Sequence, residues 1–191
     1  YMREQAKRMS SQFALELSCF FLPMDMKKKR DELVKDAELS VTQQGDLKKV
    51  LISFKDKKNI DNVFFKTGLP IPTKDVKGVE ILFNNRELLL EGINIIYEKD
   101  QINTKIVELS IKYINLEGKK YIDEINILAN DGSLKGSFKT EFIKIGKYYL
   151  PSKQIRFIEG SNIPEENKKV EVNFKNYKIN VKIPKKIFYE Q

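Results

Sequence analysis

Between residues 78 and 150 the chain alternates apolar and polar side chains with period two, run after run. Ile93, Ile95 and Tyr97 fall on one side of such a run. Val107, Leu109, Ile111 and Tyr113 share one side of the next, with Glu108, Ser110 and Lys112 opposite. Ile125 and Ile127 repeat the pattern briefly, and Phe138, Thr140 and Phe142 repeat it with Lys139 and Glu141 across. Successive side chains of a strand point to opposite faces, so strict alternation marks strands with one buried side. Between the runs stand Asn84-Asn85, Lys99-Asp100, Glu117-Gly118, Asp131-Gly132 and Ile145-Gly146-Lys147. Such turn signals are too short to hold a helical crossover, so the strands follow one another as an antiparallel meander.

The flanks extend this plan. Met9, Phe13, Leu17 and Phe20 recur at helical spacing, which predicts a helix over 3–21 with one apolar face. That face either caps the sheet or acts as a movable lid. Pro23 breaks the pattern, and a second short helix is expected over 24–35, with Leu33, Val34 and Ala37 as its apolar contacts. Lys27-Lys28-Lys29-Arg30 lies on its first turn, where positive charge opposes the helix dipole. The plain reading is a solvated face; the sharper one is contact with anionic lipid or acidic protein. Strands are expected at 39–43, around Val50, Ile52 and Phe54, and at Val63-Phe64-Phe65, with a long loop over 66–77. Further strands follow: one from Tyr148-Tyr149-Leu150 that continues through Gln154–Ile158, then Val170–Phe174 and Tyr177–Ile183. The total is about eleven, in a single mainly β domain over 1–191, with helices at about 3–36 and sheet at about 39–188.

Charge and composition narrow the function. The chain has 35 basic residues, of which five are Arg (3, 8, 30, 86 and 156), leaving 30 Lys. Phosphate and base recognition favour Arg forks, and these lysines are scattered over exposed strand positions. The net charge of +8 therefore reads as a solvated surface, and no nucleic-acid partner is expected. Aromatic residues on the strands alternate with charges in the manner of a core. The chain has no His, so imidazole acid–base catalysis, His-dependent nucleophile pairs and imidazole metal ligands are absent. One Cys, Cys19, makes neither a disulfide nor a thiolate zinc site. No phosphate-cradling glycine motif is present. No metal, cofactor or enzymatic role is expected. No apolar run reaches the ~20 residues of a membrane span, so no transmembrane segment is expected. No secretory signal pattern opens the chain, as in a mature or trimmed form.

Two stretches near the C-terminal end carry a resemblance. The segment 174–180 reads FKNYKIN and is followed by IPKKIF at 183–188; GKYYLPSKQIRF spans 146–157. A strand, a short turn and a strand, then a Pro-stopped apolar anchor, is similar to the ending of LolA-like proteins, the periplasmic carriers of outer-membrane lipoproteins. The likeness is close over about 145–188 and holds in outline for the helix-then-sheet order. It implies an unclosed barrel whose concave apolar face is covered by helices and holds acyl chains. It also implies a place in the periplasm or cell envelope. No residue is matched to the carriers' functional arginine.

Alternation and resemblance together set the expected lining. Ile93, Ile95, Tyr97, Val107, Leu109, Ile111, Tyr113, Phe138 and Phe142 line the inner face, and Phe13, Leu17 and Phe20 cover it. The expected ligand is a lipid or the acyl chains of a lipoprotein. The alternative is a structural or assembly module of the envelope without a lipid ligand. It would bind another protein through sheet edges near Leu69–Pro72 or Gln154–Ile158.

Overall fold

A computed structural model describes residues 27–60, 63–64, 71–98, 104–160 and 165–177. Helix α1 (Lys27–Val34) leads into β1 (Glu38–Gln44), β2 (Leu47–Lys58), β3 (Val76–Asn84), β4 (Leu89–Glu98) and β5 (Thr104–Leu116). Then come β6 (Lys119–Ala129), β7 (Leu134–Ile145), β8 (Tyr148–Gly160), the single turn α2 (Glu165–Lys168) and β9 (Lys169–Asn173). All nine strands form one antiparallel sheet in chain order, and β1 and β9 do not pair with each other, so the sheet is curled and unclosed.

Local chemistry accounts for the turns. Glu117 and Gly118 both take positive φ, which is the hairpin geometry whose twist matches that of the strands it joins. Asn84 closes the β3–β4 turn by accepting the backbone N–H groups of Arg86 (3.1 Å) and Glu87 (3.0 Å) on its side-chain oxygen. Bulges bend the ladders: register shifts occur between Val76 and Gly78, between Leu82 and Phe83, between Lys112 and Tyr113, and between Glu141 and Phe142.

The core is one-sided. Cross-strand register lines up Ile52, Val79, Ile95, Val107 and Ala129 in one row across β2–β6. A second row runs Ile81, Ile93, Leu109, Ile127, Gly136 and Ile158 across β3–β8. Nearly every member is buried. The opposite face carries charge pairs such as Lys112–Glu124 (3.1 Å) and Lys153–Glu171 (2.9 Å). At one end the segment with Ile60, Val63 and Phe64 folds onto the core, the Phe64 ring lying 6.3 Å from that of Phe54.

Several expectations change. Val63-Phe64 is a bend and not a strand; its apolar side chains are buried in the core without ladder pairing among the described residues, and Phe65 lies outside them. Tyr148 to Ile158 is one continuous strand, β8, as expected. The 3–21 helix and residues 178–183 lie outside the described residues, so the described sheet has nine strands. The second helix is present at Lys27–Val34, and residues 24–26 of its expected span lie outside the described residues. None of its side chains is fully buried, and Leu33, Val34 and the following Ala37 reach only the margin of the core. Among the described residues the helices are α1 and α2, and neither covers the sheet. Lys27, Lys28 and Lys29 are exposed as expected, whereas Arg30 is half-buried and donates from Nη1 to the Val63 carbonyl (2.9 Å).

Candidate functional site

The inner face is the candidate site, and the expected lining divides on it into three groups. Ile93, Ile95, Tyr97, Val107, Leu109, Ile111 and Phe138 are all buried on this face. Tyr113 and Phe142 are half-buried on its margin. Phe13, Leu17 and Phe20 lie outside the described residues. Two tyrosines anchor the face to its surroundings. The Tyr97 hydroxyl donates to the Pro72 carbonyl, and burial pushes its pKa far above the ordinary tyrosine value. The Tyr113 hydroxyl donates to the Leu90 carbonyl (2.7 Å); burial and then the Glu91 charge raise its pKa.

The ladder between β6 and β7 is short. It runs only from Glu124↔Lys139 to Leu128↔Lys135, while β6 begins at Lys119 and β7 continues to Ile145. The strands therefore part at this end. Tyr121 sits at the parting, its ring 5.3 Å from Phe142 and 5.8 Å from Tyr149. Glu117 accepts hydrogen bonds from Lys144 and Tyr149 beside it, and its carboxyl is held below the usual range. An aromatic cluster with one ion pair thus marks the place where β6 and β7 part. At another margin a cleft of about 280 Å³ lies between α1 and the 59–63 segment, lined by Lys29, Glu32, Leu33, Asn59 and Val63.

Three polar residues lie on the inner face, of which alternation places only Thr140 there, beside Phe138 and Phe142. Thr140 and Gln154 are cross-strand partners on β7 and β8, 3% and 2% exposed. Neither the Thr140 hydroxyl nor either end of the Gln154 amide finds a hydrogen-bond partner among the described residues. Leaving such a group buried and unpaired costs on the order of 1–3 kcal/mol. Arg156, two residues along β8, shares their face opposite Phe138.

The reason is a bulge. Glu141 pairs with Lys153 but Phe142 pairs with Pro151, so Ser152 is an extra residue in β8. The extra residue shifts the phase of the alternation, since one step moves every later side chain to the other face. Gln154 and Ile158 turn inward, and Ile155 and Phe157 remain half-buried on the outer side. Apolar alternation alone assigns Ile155 and Phe157 to the core; only Pro151-Ser152, a Pro within a strand run, hints at the irregularity. Gln154–Ile158 is also no free edge, because β8 is paired on both sides, with β7 and with β9. The free edges of the described sheet belong to β1 and β9.

Among the described residues no helix is long and apolar enough to cross a membrane, and no group of three or more His, Cys, Asp or Glu is gathered as metal ligands would be. Compared with protein-family models, with curated proteins and with solved structures, the chain matches none.

Proposed function

We propose that this protein is a binding module, not an enzyme, that holds acyl chains along the inner face of its curled sheet. In this reading it is a LolA-like carrier of lipid or lipoprotein in the periplasm or cell envelope. The observation that carries the proposal is the one-sided core. Apolar rows run unbroken across five or more strands of a sheet that does not close on itself. Each methylene buried on such a face contributes about 0.8 kcal/mol. The likeness of residues 145–188 to the carriers points the same way.

The test is organic extraction of the purified protein followed by mass spectrometry, together with titration of an acyl probe. Acyl lipid at near one equivalent, or saturable probe binding, is the expected result. A lipid-free protein that binds no acyl probe refutes the proposal.

A second reading, a protein-binding envelope module without lipid, is favoured by one feature. Strand β1 pairs only with β2, and it exposes Leu39 and Val41 to 62% and 57%. It carries no Lys, Pro or bulge over 39–44 to blunt pairing with another chain. Light scattering at rising concentration, with a pull-down of envelope proteins on Leu39→Lys and wild-type bait, separates this reading from the first.

A further inference from the structure

We infer that Thr140 and Gln154 form the polar subsite of the inner face, and that it takes the ester or amide end of an acyl ligand that also bears a hydroxyl or N–H donor. This rests on the carrier reading and specifies its ligand. Among the described residues, Gln154, 2% exposed, has no partner for its amide oxygen or its amide nitrogen; Thr140, directly across on β7, is 3% exposed with its hydroxyl equally unpaired. A structural polar pair would be expected to satisfy itself, or to be replaced by apolar residues of similar size. Here the pair does neither, although apolar Val172 is the register partner of Gln154 on β9 and Phe138 lies two residues from Thr140 along β7.

A second observation is independent of the first. The Ser152 bulge lies two residues before Gln154 and is what turns it inward. Bulges recur where a strand re-aims a side chain at a site. Without it, Ile155 would face the interior and Gln154 the solvent.

The chemistry of the ligand follows from the two groups. The carboxamide donates through Nε2 and accepts through Oε1, and the hydroxyl does both. Neither is charged, so the complementary group is neutral and both accepts and donates. A carbonyl beside a hydroxyl or N–H meets that requirement, as in a glycerol ester or an N-acyl group. Arg156 shares the face but is engaged in contacts of its own, so the subsite is built on the two neutral side chains. From here the row Phe138, Ile125, Ile111 and the neighbouring row through Ile127 and Leu109 lead toward β4. Four strand spacings of about 4.8 Å give a path of about 19 Å, along which a long acyl tail can lie.

The experiment is competition against a fluorescent fatty-acid probe by two chain-matched ligands. Glycerol monooleate has the ester carbonyl and hydroxyls; methyl oleate has the carbonyl alone. Wild-type protein should prefer glycerol monooleate by about tenfold, equivalent to about 1.4 kcal/mol. Gln154→Met and Thr140→Val, both close in shape, should bind methyl oleate as wild type does and bring the two ligands within about twofold. Gln154→Met should also melt higher, because it removes an unpaired buried amide. A wild-type protein that binds both ligands alike overturns the subsite and leaves the carrier reading standing. So do variants that keep the tenfold preference, which would mean that ordered water alone satisfies the pair. If no oleoyl ligand or acyl probe binds wild type, the carrier reading falls and the subsite with it.

Discussion

Gly92 offers the sharpest mechanical test of the sheet. It is buried in β4, pairs with Ser110 of β5, and sits beside the register shift that bends β3 against β4. A Cβ placed on it would stand 2.5 Å from the Leu109 carbonyl oxygen, where ordinary contact begins at 3.4 Å. The difference is 0.9 Å (3.4 minus 2.5), and the obstacle is backbone, which has no rotamer to move into. Gly92→Ala must therefore push β4 and β5 apart in the middle of the sheet. Overpacking of this kind costs about 1–3 kcal/mol. A weakened ladder hydrogen bond adds about 1 kcal/mol, and the stiffer unfolded chain returns about 0.4–1 kcal/mol. The net expectation is a loss of about 2–3 kcal/mol, or a Tm lower by about 4–12 °C for a chain of this size. Urea denaturation followed by circular dichroism measures it, with an unchanged m-value showing that the same surface unfolds. Gly136→Ala is the internal comparison: its Cβ would meet the Phe157 carbonyl at 3.0 Å, so less than half the displacement is needed. If Gly92→Ala lies within 0.5 kcal/mol of wild type by the mutational norm for surface sites, or is as mild as Gly136→Ala, the tight β4–β5 approach is wrong.

Two further outcomes are expected. Tyr97 is kept neutral by burial, so its folded pKa lies above its unfolded value near 10; its contribution is complete below that pH and is lost as pH rises above it. The urea midpoint should fall between about pH 9.5 and 11, and Tyr97→Phe should flatten that fall while losing about 1 kcal/mol at pH 7 with the hydrogen bond to Pro72; an equal alkaline fall in the variant refutes the assignment. Changing Lys27, Lys28 and Lys29 together to Gln should shift stability by no more than about 0.5 kcal/mol. Arg30→Gln alone should cost about 1–2 kcal/mol through the lost bond to the Val63 carbonyl, and thermal melts that rank the two the other way would show that α1 is not docked by Arg30.

The central strands were legible because their chemistry is redundant. In β5, Val107, Leu109 and Ile111 face one way and Glu108, Ser110 and Lys112 the other, so only one register buries the apolar set. Legibility ends where one extra residue changes the phase. Gln154 reads as solvent-facing and Ile155 as core until Ser152 is seen to bulge. Val63 and Phe64 read as a strand because they are apolar, but burial and strand pairing are separate requirements and only the first is met. Likewise Leu39 and Val41 alternate as buried residues do, yet β1 is the last strand on its side and leaves them open. The site is legible to the same extent as the sheet: its apolar lining and Thr140 follow from alternation, and Gln154 follows from a backbone irregularity that leaves almost no trace in composition.

The order of the strands also sets how the chain can reach this state. Each described strand pairs only with the strand before it and the strand after it along the chain. Most of the closures are tight turns, and even the longest, between β2 and β3, adds only slowly to the entropy cost, about 0.6 kcal/mol for each doubling of length. No strand waits for a distant partner to be synthesised. A first hairpin, once formed, presents an edge on which the next segment docks, and assembly spreads outward from it as a zipper closes. Nucleation at β5–β6, with its ten paired positions, would let growth run in both directions at once, and such sequential pairing keeps contact order low and folding fast for a β-protein.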